Sequence, residues 1–207
     1  MLKVAINNLT KPLILVVILA ALALMPYWSS SYILSIFTMI FMYMALGQMW
    51  NLLAGYTGLV SLGQQIFIGL GGYALAILTQ VHGQTIFLSV IVAVVVSVVF
   101  AFIISFSIFK MRGVYFTIGT WIVAEALLIY FTNWSFVNYA IGYTVTVAYR
   151  LPSAHLYWGS LATGVGAVAI VYWLLRSKVG LALMAMRDNE GAAEVRGVKL
   201  YRTKLLC

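Results

Sequence analysis

The chain has 207 residues, 64% hydrophobic and 8% charged, with twelve basic and four acidic side chains. A soluble domain carries roughly 25% charged residues, so this composition excludes a water-wetted globule and points to a polytopic membrane protein. The net charge of +8 lies between apolar runs and at the termini, without the aromatic-basic platform that single-stranded nucleic acid needs, and suits charge that orients a chain in a membrane.

Six apolar runs follow in chain order: Leu13–Trp28, Tyr32–Trp50, Leu59–Thr79, Ile86–Phe109, Val114–Phe131 and Leu156–Leu175. Their lengths match what a hydrocarbon core about 30 Å thick requires. All six are predicted to be helices, because an open strand in lipid leaves backbone groups unpaired. The predicted fold is therefore all-α with about six transmembrane helices. The first run, with Lys3 and Lys11 before it and Ala21-Leu22-Ala23 within it, also has the makings of a cleaved secretory signal. The reading adopted is a retained first helix.

With the N-terminus in the cytoplasm, Lys3, Lys11, Lys110, Arg112 and the seven basic residues after the sixth run all fall inside, leaving Arg150 outside. This one-sided distribution obeys the positive-inside rule. Tyr27, Trp28, Tyr32, Trp134, Tyr157 and Trp158 stand at run ends and read as an interfacial belt. The long outer connection is Thr132–His155.

The stretch from Trp50 to Tyr73, WNLLAGYTGLVSLGQQIFIGLGGY, holds six glycines among Asn51, Thr57, Ser61, Gln64 and Gln65. So many glycines disfavour an uninterrupted helix, since each costs about 1 kcal/mol relative to alanine. Two readings stay open: small residues that let helices pack closely, and a broken helix whose backbone and amides line a path. Ser61, Gln64 and Gln65 lean to the second, because polar groups at this depth need partners or water. Whether 59–79 crosses fully or re-enters is open. Glu125 falls mid-run, where an ionised carboxylate must face protein or water, and it completes the candidate pathway residues.

No nucleotide-phosphate loop, no H-E-x-x-H and no paired histidine–cysteine spacing occurs, and His82 and His155 read as surface histidines. The chain is read as non-catalytic, with no cofactor and no metal. Three of its four acidic residues fall in one stretch, RDNEGAAEVRG at 187–197. Glu190 and Glu194, four apart, share a helix face; Asp188 suits an N-cap and Gly197 the left-handed residue that ends a helix. The predicted helix has about eight residues, roughly 12 Å at 1.5 Å per residue. It is too short to persist alone and needs a dock.

GYTGLVSLGQ followed by GLGGY, then RGVYFTIGTWIVAE, then RDNEGAAEVRGVKLYRTKLL, in that order over Trp50–Leu206, resemble the permease subunits of bacterial branched-chain amino acid ABC importers of LivM type. The resemblance implies a plasma (inner) membrane permease subunit with its N-terminus in the cytoplasm. Its implied partners are a second related permease, two cytoplasmic ABC ATPase subunits and a periplasmic or lipid-anchored substrate-binding protein. It implies a single permease domain over 1–207, with a cytoplasmic segment at 176–204 that carries a coupling helix. Arg187, Asp188, Asn189, Glu190, Ala192, Ala193, Glu194 and Gly197 would contact the ATPase. After Asn133 the chain reads SFVNYAIGYTVTVAY where the family carries a glycine-rich run. Family members continue with further spans after the KLL that precedes Cys207, so a C-terminally truncated permease is expected. Permeases for urea, short amides or another small solute stay open, as do an ion-coupled transporter subunit using Glu125 and a purely structural membrane subunit.

Overall fold

The computed structural model describes residues 2–145 and 151–206, with side chains from Leu13 onward. Lys3, Lys11 and Arg150, three of the residues on which the charge argument rests, have side chains outside this set. Nine α-helices occur among the described residues, and no strand. They are α1 (Leu2–Leu24), α2 (Ser31–Asn51), α3 (Gln64–Gln80), α4 (Ile86–Ile108), α5 (Val114–Thr132), α6 (Ser153–Arg176), α7 (Lys178–Asp188), α8 (Glu190–Val195) and α9 (Leu200–Leu205).

Helices stand at all six expected places. Among the described residues, four helices are long and apolar enough to cross a membrane: α2 with its continuation to Tyr56, α4, α5 and α6. The end of α1 and the 3-10 turn that follows it form a shorter apolar helix, Leu13–Tyr27. The third expected span is corrected. Its helix begins at Gln64, not Leu59, and its 17 residues reach only about 26 Å at 1.5 Å per residue. The surfaces of the long helices remain apolar, with Phe87, Val98 and Ile103 of α4 all exposed, as lipid contact requires.

The chain divides into two compact units, Met1–Ala45 with Leu151–Ala167, and Leu46–Arg150 with Val168–Cys207. In the first, Leu34, Phe41 and Tyr157 form the core, with Leu22, Met25, Phe37, Met44 and Leu161 against it. Tyr157 is fully buried and so leaves the expected interfacial belt, whereas Tyr27, Trp28 and Tyr32 are exposed. The reason lies at the end of α1. The carbonyls of a last helical turn have no intrahelical donors, and Leu22 would look to residue 26, a proline without an N–H. The Tyr157 hydroxyl donates to Leu22 O at 2.7 Å instead, and Trp158 Nε1 donates to Ala23 O at 3.0 Å. Phe41 meets the Tyr157 ring edge-on at 5.7 Å between centroids.

The second unit has two apolar clusters. Leu52, Val171 and Leu183 pack with Met49, Leu174, Leu175 and Val179, joining the end of α2 to α6 and α7. Leu59, Ile108 and Phe116 pack with Leu53, Ile104, Phe109 and Val123, joining the segment after α2 to α4 and α5. Ser177 separates α6 from α7, its hydroxyl accepting from Val179 N at 3.1 Å as an N-cap.

Candidate functional site

The end of α2 is irregular. Leu52–Tyr56 form a π-helical turn, in which the backbone bonds reach one residue further than in an α-helix. Residues 58–63 then run without helix until α3 begins. Of the two readings of the glycine-rich stretch, the backbone here is that of the broken helix. Several of its backbone groups find partners within the chain, the condition under which non-helical backbone persists at membrane depth. Leu59 N donates to Leu53 O at 3.2 Å, and the Thr57 hydroxyl also donates to Leu53 O. Thr117 of α5 donates to Val60 O at 2.8 Å, and Thr120 Oγ1 accepts from Leu62 N at 3.1 Å. Two threonines one turn apart on α5 thus hold the break against that helix.

On its other flank the break meets the end of α7. Arg187 donates through Nη1 to Gly55 O at 3.3 Å, a carbonyl within the π turn. Gly58 has φ +72°, in the left-handed region where side chains are disfavoured. A Cβ on Gly58 would lie 3.2 Å from Arg187 Cγ, so backbone angle and crowding both call for glycine. The two stretches singled out in the sequence, at 50–73 and 187–197, are therefore in direct contact.

Beyond Arg187, the polar segment folds partly as expected. The N-cap of α8 is Asn189, whose side chain accepts from Ala192 N at 3.0 Å, and not Asp188, which closes α7 and pairs with Arg187 at 3.3 Å. α8 has six residues rather than eight. Gly197 does end it, at φ +89°, with its N–H donating to Glu194 O at 2.9 Å and Val198 N to Ala193 O at 3.1 Å. Ala193 is buried while Ala192 is exposed.

Glu190 and Glu194 share a face, and that face is occupied within the chain. Arg112, in the α4–α5 connection, lies 3.4 Å from Glu190 Oε2 and 3.4 Å from Glu194 Oε2. Lys204 of α9, 2% exposed, lies 2.9 Å from Glu190 Oε1. Glu190 is thus engaged within the chain, as it must be if Lys204 is to stay withdrawn from water. Exposed in this region without an ion pair or side-chain hydrogen bond among the described residues are Ala192, Val195 at 90% exposure, and Arg196; Asp188, Asn189 and Glu194 are exposed but bonded within the chain.

The candidate pathway residues separate. Gln65 and Glu125 line one pocket of about 240 Å³ with Gly69, Tyr73, Leu128 and Phe131. Both are exposed, and Glu125 makes no hydrogen bond or ion pair among the described residues. Ser61 is buried, and its hydroxyl accepts from Gly63 N at 3.2 Å, a local turn bond. Gln64, half-buried at the start of α3, does not line the pocket. The pocket's rim includes Ala140, the last of three successive residues, with Asn138 and Tyr139, that hold φ between 51° and 57°, a costly conformation for residues bearing a Cβ. His82 and His155 are exposed, and no metal-holding cluster occurs among the described residues.

Arg112, Thr117, Thr120 and Lys204 escape the sequence reading. The threonines sit at helical spacing in an apolar run, where they resemble ordinary small polar residues. Arg112 and Lys204 look like generic inside charges. Only the spacing of Thr117 and Thr120 on one face carries a usable signal.

The family described as branched-chain amino acid transport system / permease component has a model that matches residues 30–207. No curated protein and no solved structure is matched by the chain.

Proposed function

From the premise that the chain belongs to the branched-chain amino acid transport permease family, we propose that it is a LivM-type, non-catalytic subunit of an ATP-driven importer in the bacterial inner membrane. A second permease completes the path, two cytoplasmic ATPases dock on the segment after α6, and an external binding protein delivers the solute. The N-terminus lies in the cytoplasm in this reading.

One observation carries it: Arg187, in the stretch assigned to the ATPase, grips the π turn through Gly55 O at 3.3 Å. A displacement of α7 and α8 would pass to the break at 58–63 and, through Thr117 and Thr120, to α5. A two-state rocking of packed helices needs such a mechanical link. The docking surface in this proposal is the open one, Ala192, Val195 and Arg196, with Glu190 holding it in place from behind.

Gln65 and Glu125 supply the polar half of a solute site. An amino acid's ammonium suits Glu125 and its branched side chain suits Leu128 and Phe131. At about 240 Å³ the pocket falls below the roughly 300 Å³ where drug-sized sites begin. A carboxylate on an apolar span cannot face lipid cheaply, so the paired permease would cover this face and complete the path.

The test is Arg187→Ala in the assembled importer. A hydrogen bond from a charged donor is worth about 1.5–3 kcal/mol, and Arg187 is half-exposed, so about a tenfold loss of uptake is expected. ATPase association should persist, because Arg187 is turned to Gly55 O and this proposal assigns docking to Ala192, Val195 and Arg196 rather than to Arg187. Wild-type uptake in this variant would overturn the mechanical link.

A further inference from the structure

A second cavity lies at the far end of α4, distinct from the pocket of Gln65 and Glu125. Its volume is about 730 Å³, and Lys110, Arg112, Lys199, Arg202 and Lys204 line it with Glu194 as its one acidic residue. Arg112 and Lys204 are engaged by Glu190 and Glu194. Among the described residues Lys110, Lys199 and Arg202 pair with no carboxylate. Three cations without a carboxylate partner among the described residues, facing one concave space, attract an anion, and concavity focuses their field.

Its depth says what kind of anion. The Tyr201 hydroxyl of α9 bonds Ser105 Oγ of α4 at 3.0 Å. The Tyr201 ring stacks on Phe106 at 6.0 Å and meets Phe109 edge-on at 5.9 Å. Ser105 and Phe106 belong to the last turn of the most apolar span, Ile86–Ile108. α9 is thus docked on the end of a membrane helix, at the boundary between hydrocarbon and water. Phe102, Phe106 and Ile103 lie exposed just along α4, and Leu205, the last residue of α9, and Leu206 after it are exposed. Cations at the rim with bare apolar surface directly below match the two halves of a lipid molecule. A free phosphate would need only the cations.

We propose that this groove binds the phosphate headgroup of an anionic phospholipid from the adjoining leaflet, with the acyl chains lying along the exposed face of α4. Lys199, Arg202 and Lys110 hold the phosphate, and Tyr201 forms the groove's apolar wall. The inference needs only that the chain is a membrane protein, and it stands or falls apart from the transport reading.

The full-length protein, purified in a neutral detergent, is titrated with phosphatidylglycerol, phosphatidylcholine and inorganic phosphate, with bound species counted by native mass spectrometry. Wild type should retain phosphatidylglycerol in preference to phosphatidylcholine. Each surface cation contributes roughly fivefold to anionic-lipid affinity, so K199Q/R202Q should lose about 25-fold. Both side chains are exposed and leave the Glu190–Lys204 pair untouched, so the variant should fold. The matched control R176Q/K178Q, which removes the same charge elsewhere, should bind as wild type does. An equal loss in the control pair would reduce the site to general surface charge. Phosphate binding as tight as lipid would make it an inorganic anion site, and loss of a soluble partner with unchanged lipid binding would make it a protein contact. Each of those three results overturns the proposal.

Discussion

Glu190 and Glu125 are both carboxylates on helices beside apolar surface, yet the chain treats them in opposite ways. Glu190 is largely buried, with Lys204 at 2.9 Å and Arg112 at 3.4 Å. Glu125 stands exposed on a membrane-spanning helix with no partner among the described residues. Water cannot account for the contrast, since it is Glu190 that lies in the polar segment and Glu125 in the hydrocarbon zone. Where the chain supplies the counter-charge, the carboxylate is part of the fold. Where it supplies none among the described residues, as at Glu125, the proposed function assigns the missing partner to something outside the chain. If this distinction holds, substitutions at the two sites should separate cleanly between stability and function.

The largest effect on stability is expected at the paired site. Glu190→Ala leaves Lys204 withdrawn from water without its partner, and breaking a buried ion pair from one side costs about 3–5 kcal/mol. Arg112 is exposed and Glu190 is 17% exposed, which favours the low end, about 3 kcal/mol. For a chain of this size that corresponds to a fall in Tm of roughly 6–12 °C, read by thermal unfolding in detergent. Removing both charges with Glu190→Leu and Lys204→Met should restore most of it, because a pair replaced by apolar groups is often neutral. A Glu190→Ala protein that melts with wild type would show that the pair is decorative and collapse the comparison.

A smaller effect is expected at a satisfied neutral group. Tyr157→Phe keeps the ring against Phe41 and deletes only the donor to Leu22 O. An unpaired buried acceptor costs about 1–3 kcal/mol, so a fall of a few degrees is expected, below that of Glu190→Ala. A larger loss than at Glu190 would mean that burial, not charge, ranks these sites.

These sites also mark how far the sequence could be read. Helix positions, the break in the glycine-rich stretch and the ending at Gly197 depend on residues within a few places of one another, so they were legible. The N-cap was misplaced by one residue because Asp188 and Asn189 both suit the position, and the packing of α7 decides between them. The interfacial reading of Tyr157 failed because its partner, Leu22 O, is 135 residues away and is freed by a proline that only a known helix end makes meaningful. The contact of Arg187 with Gly55 spans 132 residues, and no local pattern announces it. Of the candidate pathway residues, Gln65 and Glu125 came together because each lies on a regular helix. Ser61 did not, since it sits in the break and its hydroxyl is spent on a turn.

The last and smallest effect on stability belongs to Glu125, and it is the one that sharpens the contrast most. Glu125→Gln removes a charge that no described group of this chain pairs with, while leaving size and shape nearly unchanged. Surface substitutions away from specific contacts usually fall within about 0.5 kcal/mol, so the isolated chain should melt as wild type does. In the assembled membrane complex the charge should matter. If a solute ammonium or a partner's polar group meets Glu125, its loss removes a charge-assisted hydrogen bond worth about 1.5–3 kcal/mol, or roughly tenfold or more in uptake or in retention of the paired subunit. Both quantities are measured on one preparation, by radiolabelled uptake in proteoliposomes and by co-purification. A chain that melts normally but transports poorly places Glu125 at a surface completed from outside. A clear stabilisation of the isolated chain would instead make it an unrelieved burden within the fold, and unchanged uptake and association would leave the unpartnered carboxylate without the role its exposure implies.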